Sequence, residues 1–190
     1  MVRMTKETHL CHCLILTSDC LFIEEIYGNA RLEGRTDYFL VDDLDKERAF
    51  EVSKRMGFNE VERIWDYIGG KIGDMIRLEA KRRIIHSEKE ALKEILKDEV
   101  MRIEMMFGKI EIIKPKIVIS DIEIEIKIED IKETIFALLG DKKITQRDLK
   151  KDALRFLIEE NILFLNPQTG IVGFQGRLIE KAAKMVEKRW

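Results

Sequence analysis

Ile162-Leu163-Phe164-Leu165, then Asn166-Pro167-Gln168-Thr169-Gly170, then Ile171-Val172, decide how the C-terminal third of this chain is read. Two apolar runs are separated by five residues with turn chemistry: Asn bends the chain through its own side chain, Pro fixes φ, and Gly accepts a positive φ. The spacing predicts a hairpin. Upstream, Ile131 to Leu139 reads as one helix, Thr145 to about Lys150 as a short second and Asp152 to Glu160 as a third. Downstream, a closing helix runs from about Arg177 to Lys188. Three helices, a β wing and a closing helix describe a winged helix-turn-helix, an arrangement used both for DNA docking and for protein contacts.

Moving toward the N-terminus, Ile122, Ile124, Ile126 and Ile128 alternate with charged residues, the period of a half-buried strand, so a linker or edge strand is expected there. Gly108 and Pro115 mark its upstream boundary. Ser87 with Glu90 forms a helix-start signature, because Leu92, Ile95, Leu96, Val100, Ile103, Met106 and Phe107 then share one helical face. Asn59 with Glu62 is a similar start for a short helix through Trp65 to Ile68, stopped by Gly69-Gly70. Asp43 or Asp45 can cap a helix reaching Met56, with Gly57 as its stop. Residues 44–107 are therefore read as helical.

The first 43 residues have a different grammar. Leu10-Cys11-His12-Cys13-Leu14-Ile15-Leu16-Thr17 is short and mostly apolar, as a buried parallel strand would be. Thr17-Ser18-Asp19 can cap a helix from about Cys20 to Ala30, and Tyr38-Phe39-Leu40-Val41 is a second strand candidate ending at Asp42-Asp43. Strand, helix, strand fits a piece of an α/β unit. Two strands cannot stand alone, so an exposed sheet edge near residues 11–17 and 38–41 calls for a second copy or a partner strand.

The 190 residues allow one medium domain or two to three small ones. With 45% hydrophobic and 37% charged residues the chain has the material for a core and is not disordered. Thirty-four basic against 36 acidic side chains give a net charge of -2, so any surface for nucleic acid must be local. No apolar run approaches the roughly 20 residues that span a bilayer, and the polar N-terminus precedes no signal-peptide core; a cytoplasmic protein is expected. Cys11, Cys13 and Cys20 crowd together in odd number, unlike a disulfide framework. Only three Gln and four Asn among many Ile, Lys and Glu fit a thermophilic source.

Few residues carry chemistry. A Walker A loop needs Gly-x-x-x-x-Gly-Lys-Ser/Thr, and no such run exists; Gly69-Gly70-Lys71 lacks the spacing and the hydroxyl. Asp42-Asp43 imitates the end of a Walker B strand, or else simply caps the following helix. His9, Cys11, His12, Cys13 and Cys20 include zinc-ligand types, but a strand would point Cys11 and Cys13 opposite to His12 and no second ligand cluster follows; buried apolar cysteines and no metal site are the expectation. Residues 131–190 hold 12 basic and 8 acidic side chains. Lys150, Lys151 and Arg155 at the entrance to the third helix and Arg177 after the wing are where phosphate contacts would fall, although such charges are as readily explained as a solvated helix surface.

The order of segments resembles the archaeal ATPases, a P-loop family of AAA+/STAND type. The likeness rests on Thr5-Lys6-Glu7-Thr8-His9-Leu10-Cys11-His12, Thr17-Ser18-Asp19-Cys20-Leu21-Phe22-Ile23-Glu24, Leu32-Glu33-Gly34-Arg35, Tyr38-Phe39-Leu40-Val41-Asp42-Asp43 and Asn161-Ile162-Leu163-Phe164-Leu165-Asn166-Pro167-Gln168-Thr169-Gly170-Ile171. It implies a chain that starts just before the sensor-1 strand and lacks the Walker A and Walker B half. By the same resemblance Thr17 and Ser18 face a γ-phosphate, Arg35 stands at the nucleotide or domain edge, and Gly69-Gly70 brings a lid helix near the nucleotide. Two departures are visible. The family's Gly-Gly-Lys-Pro reads Gly69-Gly70-Lys71-Ile72, and its Pro-Gln-Asn-Arg-Leu reads Phe174-Gln175-Gly176-Arg177-Leu178.

The resulting expectation is an α/β fragment plus a mostly α remainder. A partial parallel-sheet edge occupies residues 1–43 as a remnant of a P-loop domain, a helical lid 44–114, and a linker or edge strand with a C-terminal winged helix 115–190. No catalytic residue is expected, because phosphoryl transfer requires a P-loop and Mg²⁺. The isolated chain should take no cofactor; ATP and Mg would enter only with a separately supplied P-loop half. Duplex DNA, or a protein partner, is the alternative for the winged helix, and no membrane is expected.

Overall fold

The computed structural model describes Leu21 and residues 39–119, 122–140 and 143–190. The expected strand at Leu10–Thr17, the helix from Cys20 to Ala30 apart from Leu21, and the site residues Thr17, Ser18 and Arg35 lie outside the described residues. Residues 39–45 belong to no strand or helix, so Phe39-Leu40-Val41 does not form the second strand. A β-segment is stable only when a neighbour satisfies its backbone groups.

Four helices follow. Helix α1 (Lys46–Arg55) starts at Asp45, whose Oδ1 accepts the Arg48 N–H at 2.9 Å, and is followed by Gly57 at φ 78°. Helix α2 (Val61–Ile68) is not started by an Asn59–Glu62 box. Its N-cap is Glu60, without a side-chain cap bond, and Glu88 from the next helical hairpin takes the role: its carboxylate accepts the N–H of Asn59 (2.9 Å) and of Glu60 (3.0 Å). Helix α3 (Ile72–Ile85) ends at His86 in the left-handed region. Helix α4 (Glu88–Ile113) begins at Ser87, which accepts the Glu90 N–H as expected. It passes straight through Gly108, which is therefore an interior residue and not a boundary; the break falls at Lys114-Pro115.

Strands β1 (Lys116–Ile119) and β2 (Ile122–Glu125) pair antiparallel, Ile117 opposite Ile124. The alternating isoleucines thus form half of a hairpin, and Ile128 already belongs to helix α5 (Ile128–Gly140). Strand β3 (Ile144–Thr145) and a single 3-10 turn (Gln146–Asp148) replace the short helix expected at Thr145–Lys150, because Asp148 accepts from the Thr145 N–H and hydroxyl and closes the turn on itself. Helix α6 (Lys151–Glu159), strands β4 (Leu163–Leu165) and β5 (Ile171–Phe174), and helix α7 (Arg177–Glu187) complete the chain. The predicted hairpin is present, Leu165 opposite Val172, and β3 adds to it in the order β3-β5-β4. Among the described residues the architecture is mostly helical, with two small antiparallel sheets.

Two cores share one helix. Ala49, Phe58, Ile64, Ile68, Met75 and Leu78 pack with Leu92 and Ile95 of α4 and with Leu178 of α7. Further along α4, Ile103, Phe107 and Ile110 pack with Ile117, Ile131, Ile135, Leu157, Leu163 and Val172 and with Ala182 and Val186 of α7; Leu21 joins this second core. Each fully buried Leu or Ile contributes about 1.5–3 kcal/mol. The limit proposed between lid and C-terminal part, at 114, therefore does not separate the cores: α4 crosses from one to the other, and α7 starts in the first.

Gly70 tolerates no side chain. Leu44 N–H donates to Gly70 O at 3.1 Å, and a Cβ on Gly70 would lie 1.9 Å from Leu44 O. Gly70→Ala should lower stability by at least about 3 kcal/mol through backbone displacement. Gly108→Ala, where a Cβ meets nothing within 4 Å inside a helix, should raise it by about 0.5–1 kcal/mol. Thermal denaturation followed by circular dichroism reads both signs.

Burial pushes the Glu88 carboxyl up, but the N–H groups of Glu60 and Asn59 and the Arg82 guanidinium more than offset this and hold it below its usual range. A depressed folded-state carboxyl adds stability above its unfolded pKa and loses it as pH falls through the folded one. Glu88→Gln should therefore cost about 1–3 kcal/mol at neutral pH, and that cost should shrink toward zero as pH falls through the depressed folded-state pKa. Urea titrations across pH 3–7 would show the two curves converging on the acid side.

Candidate functional site

The two segments in which the sequence departs from its family resemblance meet in space. Gly69-Gly70-Lys71 leaves α2 and enters α3; Gln175-Gly176-Arg177 leaves β5 and enters α7. Lys71 has no capping side chain of its own and sends its ammonium to the Gln175 carbonyl. The Arg177 guanidinium stacks on the Trp65 indole, 4.4 Å from the ring centroid, and donates to the Trp65 carbonyl at 3.3 Å. Gly69, at φ 69°, gives the Arg177 stem its room: a Cβ there would sit 2.9 Å from Arg177 Cδ. Gly176 serves Lys71 likewise, with Lys71 Cδ 3.1 Å from where a Cβ would be.

Charge surrounds the junction. Burial pushes the Asp74 carboxyl up, against the pull of Lys71 and Arg77; burial also pushes Asp43 up, against the pull of Lys71. Arg77 Nη1 bonds to Glu99 Oε1 at 2.6 Å, and Arg102 Nε lies 3.0 Å from Glu99 Oε2, so a carboxylate buried to 5% exposure sits between two guanidinium groups. Arg102 then donates to the Asn161 carbonyl at 3.3 Å, at the residue where α6 turns toward β4. Two ion pairs and one hydrogen bond thus connect α3 through α4 to the residue that follows α6.

A phosphate cradle needs open backbone and a free cation. At this junction Leu44 backbone lies over Gly70, the Arg177 stem over Gly69, and Lys71 bonds to Gln175. Among the described residues, no group of His, Cys, Asp and Glu is placed to hold a metal ion.

The cations singled out from sequence are dispersed. Lys150 bonds to Asp130 (2.7 Å) and Glu133 (2.9 Å), which raise its pKa above the ordinary lysine range. Arg155 bonds through Nε to Glu159 at 3.1 Å. Arg177 is on Trp65. Lys151 is exposed and makes no ion pair among the described residues. Lys150, Lys151 and Arg155 share the start of α6, whereas Arg177 lies at the junction. Sequence reading missed Trp65, Lys71 and the buried Glu99, whose bonds to Arg177, Gln175 and Arg77 cross 112, 104 and 22 positions. The odd Gly-Gly-Lys and Gln-Gly-Arg runs were the available signal.

Residues 1–78 match an ATPase domain predominantly from Archaea, and residues 89–186 match the C-terminal domain of proteins like the uncharacterized ATP-binding protein MJ1010. The second match takes in half of the chain, and the chain belongs to that family. It is 37% identical to the uncharacterized ATP-binding protein MJ1609 of Methanocaldococcus jannaschii over 97% of this chain and 51% of that protein. With MJ0439 of the same organism it shares 40% over 96% of this chain and 50% of that protein. The chain thus spans about half the length of the curated relatives it matches. A crystal structure of the C-terminal domain of a possible ATP-binding protein from M. jannaschii is 34% identical, covering 52% of this chain and 95% of that one, with a TM-score of 0.48.

If the junction carries load, Arg177→Ala should destabilise the chain by about 1 kcal/mol and red-shift Trp65 emission as the indole loses its guanidinium cover. Trp190→Phe in the background isolates the Trp65 signal. Arg177→Lys should restore little, because an ammonium does not stack as a planar guanidinium does.

Proposed function

We propose that this chain is the non-catalytic C-terminal portion of an archaeal ATPase of AAA+/STAND type, a lid of helices α1–α4 joined to a winged helix, and that it works with a separately supplied P-loop half. The helix, β3, turn, α6, β4-β5 and α7 order supports the winged-helix reading. The observation that carries the proposal is Phe39-Leu40-Val41. These strand-forming residues fall inside the span that matches an archaeal ATPase domain, yet Phe39 is 94% and Val41 89% exposed, and among the described residues no strand pairs with them. An apolar edge of this kind calls for a neighbouring strand. In this reading Thr17, Ser18 and Arg35 approach the nucleotide held by the partner half, while Gly69 and Gly70 act as packing residues of the lid.

The winged helix as a DNA reader is the alternative. It retains fewer cations than the sequence offered, since Lys150, Arg155 and Arg177 have protein partners. Among the described residues no helix is long and apolar enough to cross a membrane.

Calorimetry separates the possibilities. The chain alone should give no micromolar binding of Mg-ATP. Mixed with the part of MJ1609 that it does not cover, it should form a complex that binds Mg-ATP, and Phe39→Asp with Val41→Asp should abolish association without changing the melting temperature. Micromolar Mg-ATP binding by the chain alone contradicts the proposal.

A further inference from the structure

We propose that the cleft between α6 and β1 binds a small amphipathic anion: a sulfonate, phosphate or carboxylate carried on an apolar body. The cleft has a volume of about 400 Å³, within the range of small-ligand sites. Its floor includes Leu154 and Ile158 of α6 and Ile119 of β1, and its rim carries Arg147, Lys151 and Arg155. An apolar floor under three cations selects a ligand with both characters.

The rim charge is available. Arg147 and Lys151 are exposed and make no ion pair among the described residues. Arg155 gives Nε to Glu159, which leaves its two terminal nitrogens for another acceptor. Of the neighbouring acids, Asp148 accepts from Thr145 and makes no ion pair with Arg147, and Asp152 lies in the first turn of α6; both oppose part of the rim charge. Lys151 is the first residue of α6, and Lys150 before it supplies no side-chain cap. The positive end of the helix therefore adds to the rim.

The cleft geometry favours a small ligand over a duplex. In a DNA reader the helix equivalent to α6 lies open for the major groove. Here β1 packs on α6, and Ala153, Leu154, Phe156, Leu157 and Ile158 are buried. The inference does not depend on a P-loop partner.

The probe is 1-anilinonaphthalene-8-sulfonate, an aromatic monoanion whose fluorescence rises in apolar sites. Titrated into the full chain, it should show one saturable site, weakened about tenfold by Arg147→Ala with Lys151→Ala, a pair that makes no ion pair among the described residues. Ile76→Ser with Ile84→Ser, which removes exposed apolar side chains of α3, should leave the affinity unchanged. Unchanged affinity in the rim variant, or lost affinity in the α3 variant, overturns the assignment. Displacement of the dye by a short duplex DNA at 0.15 M salt would also overturn it, in favour of a nucleic-acid surface.

Discussion

Helix α4 is the constraint on which both halves of the molecule depend. At about 1.5 Å per residue its 26 residues span about 39 Å, enough to enter two cores in succession. Its early turns give Ala91, Leu92 and Ile95 to one; its later turns give Ile103, Met106, Phe107 and Ile110 to the other. A helix this long keeps its conformation through side-chain packing more than through intrinsic propensity. Ser87 fixes where it starts, and that start in turn places Glu88 under the first residues of α2.

The second tie is the meeting of Gly69-Gly70-Lys71 with Gln175-Gly176-Arg177. Gly70 is required because Leu44 backbone lies where a Cβ would go, and Gly69 because its φ is positive and the Arg177 stem crowds it. The same run of residues that resembles a nucleotide-proximal motif is thus accounted for by packing.

Much of the fold was legible where the signal is local. Asp45 and Ser87 cap helices as their sequences dictate, Asn166 to Gly170 turn a hairpin, and the apolar spacing of 92–107 gives the buried face of α4. The failures have a common origin in interactions between residues far apart. Glu88 caps a helix 28 residues upstream, Asp130 and Glu133 claim Lys150, and Trp65 claims Arg177 across 112 positions. Gly108 looked like a terminator because glycine is poor in helices, yet packing on both sides carries α4 through it. Phe39-Leu40-Val41 has strand composition without a strand, since composition cannot supply a neighbour. For the site, Gly69, Gly70 and Arg177 were visible as residues, but their mutual contact was not.

Helix α7 lends Leu178 to one hydrophobic cluster and, from the very next residue onward, Ile179, Ala182, Ala183 and Val186 to the other. With α4 doing the same, neither cluster can melt while its sister stays dry. Heat should thus dissolve both together, as one cooperative event in which the helices α1–α3 and the sheet-bearing end lose their structure in step.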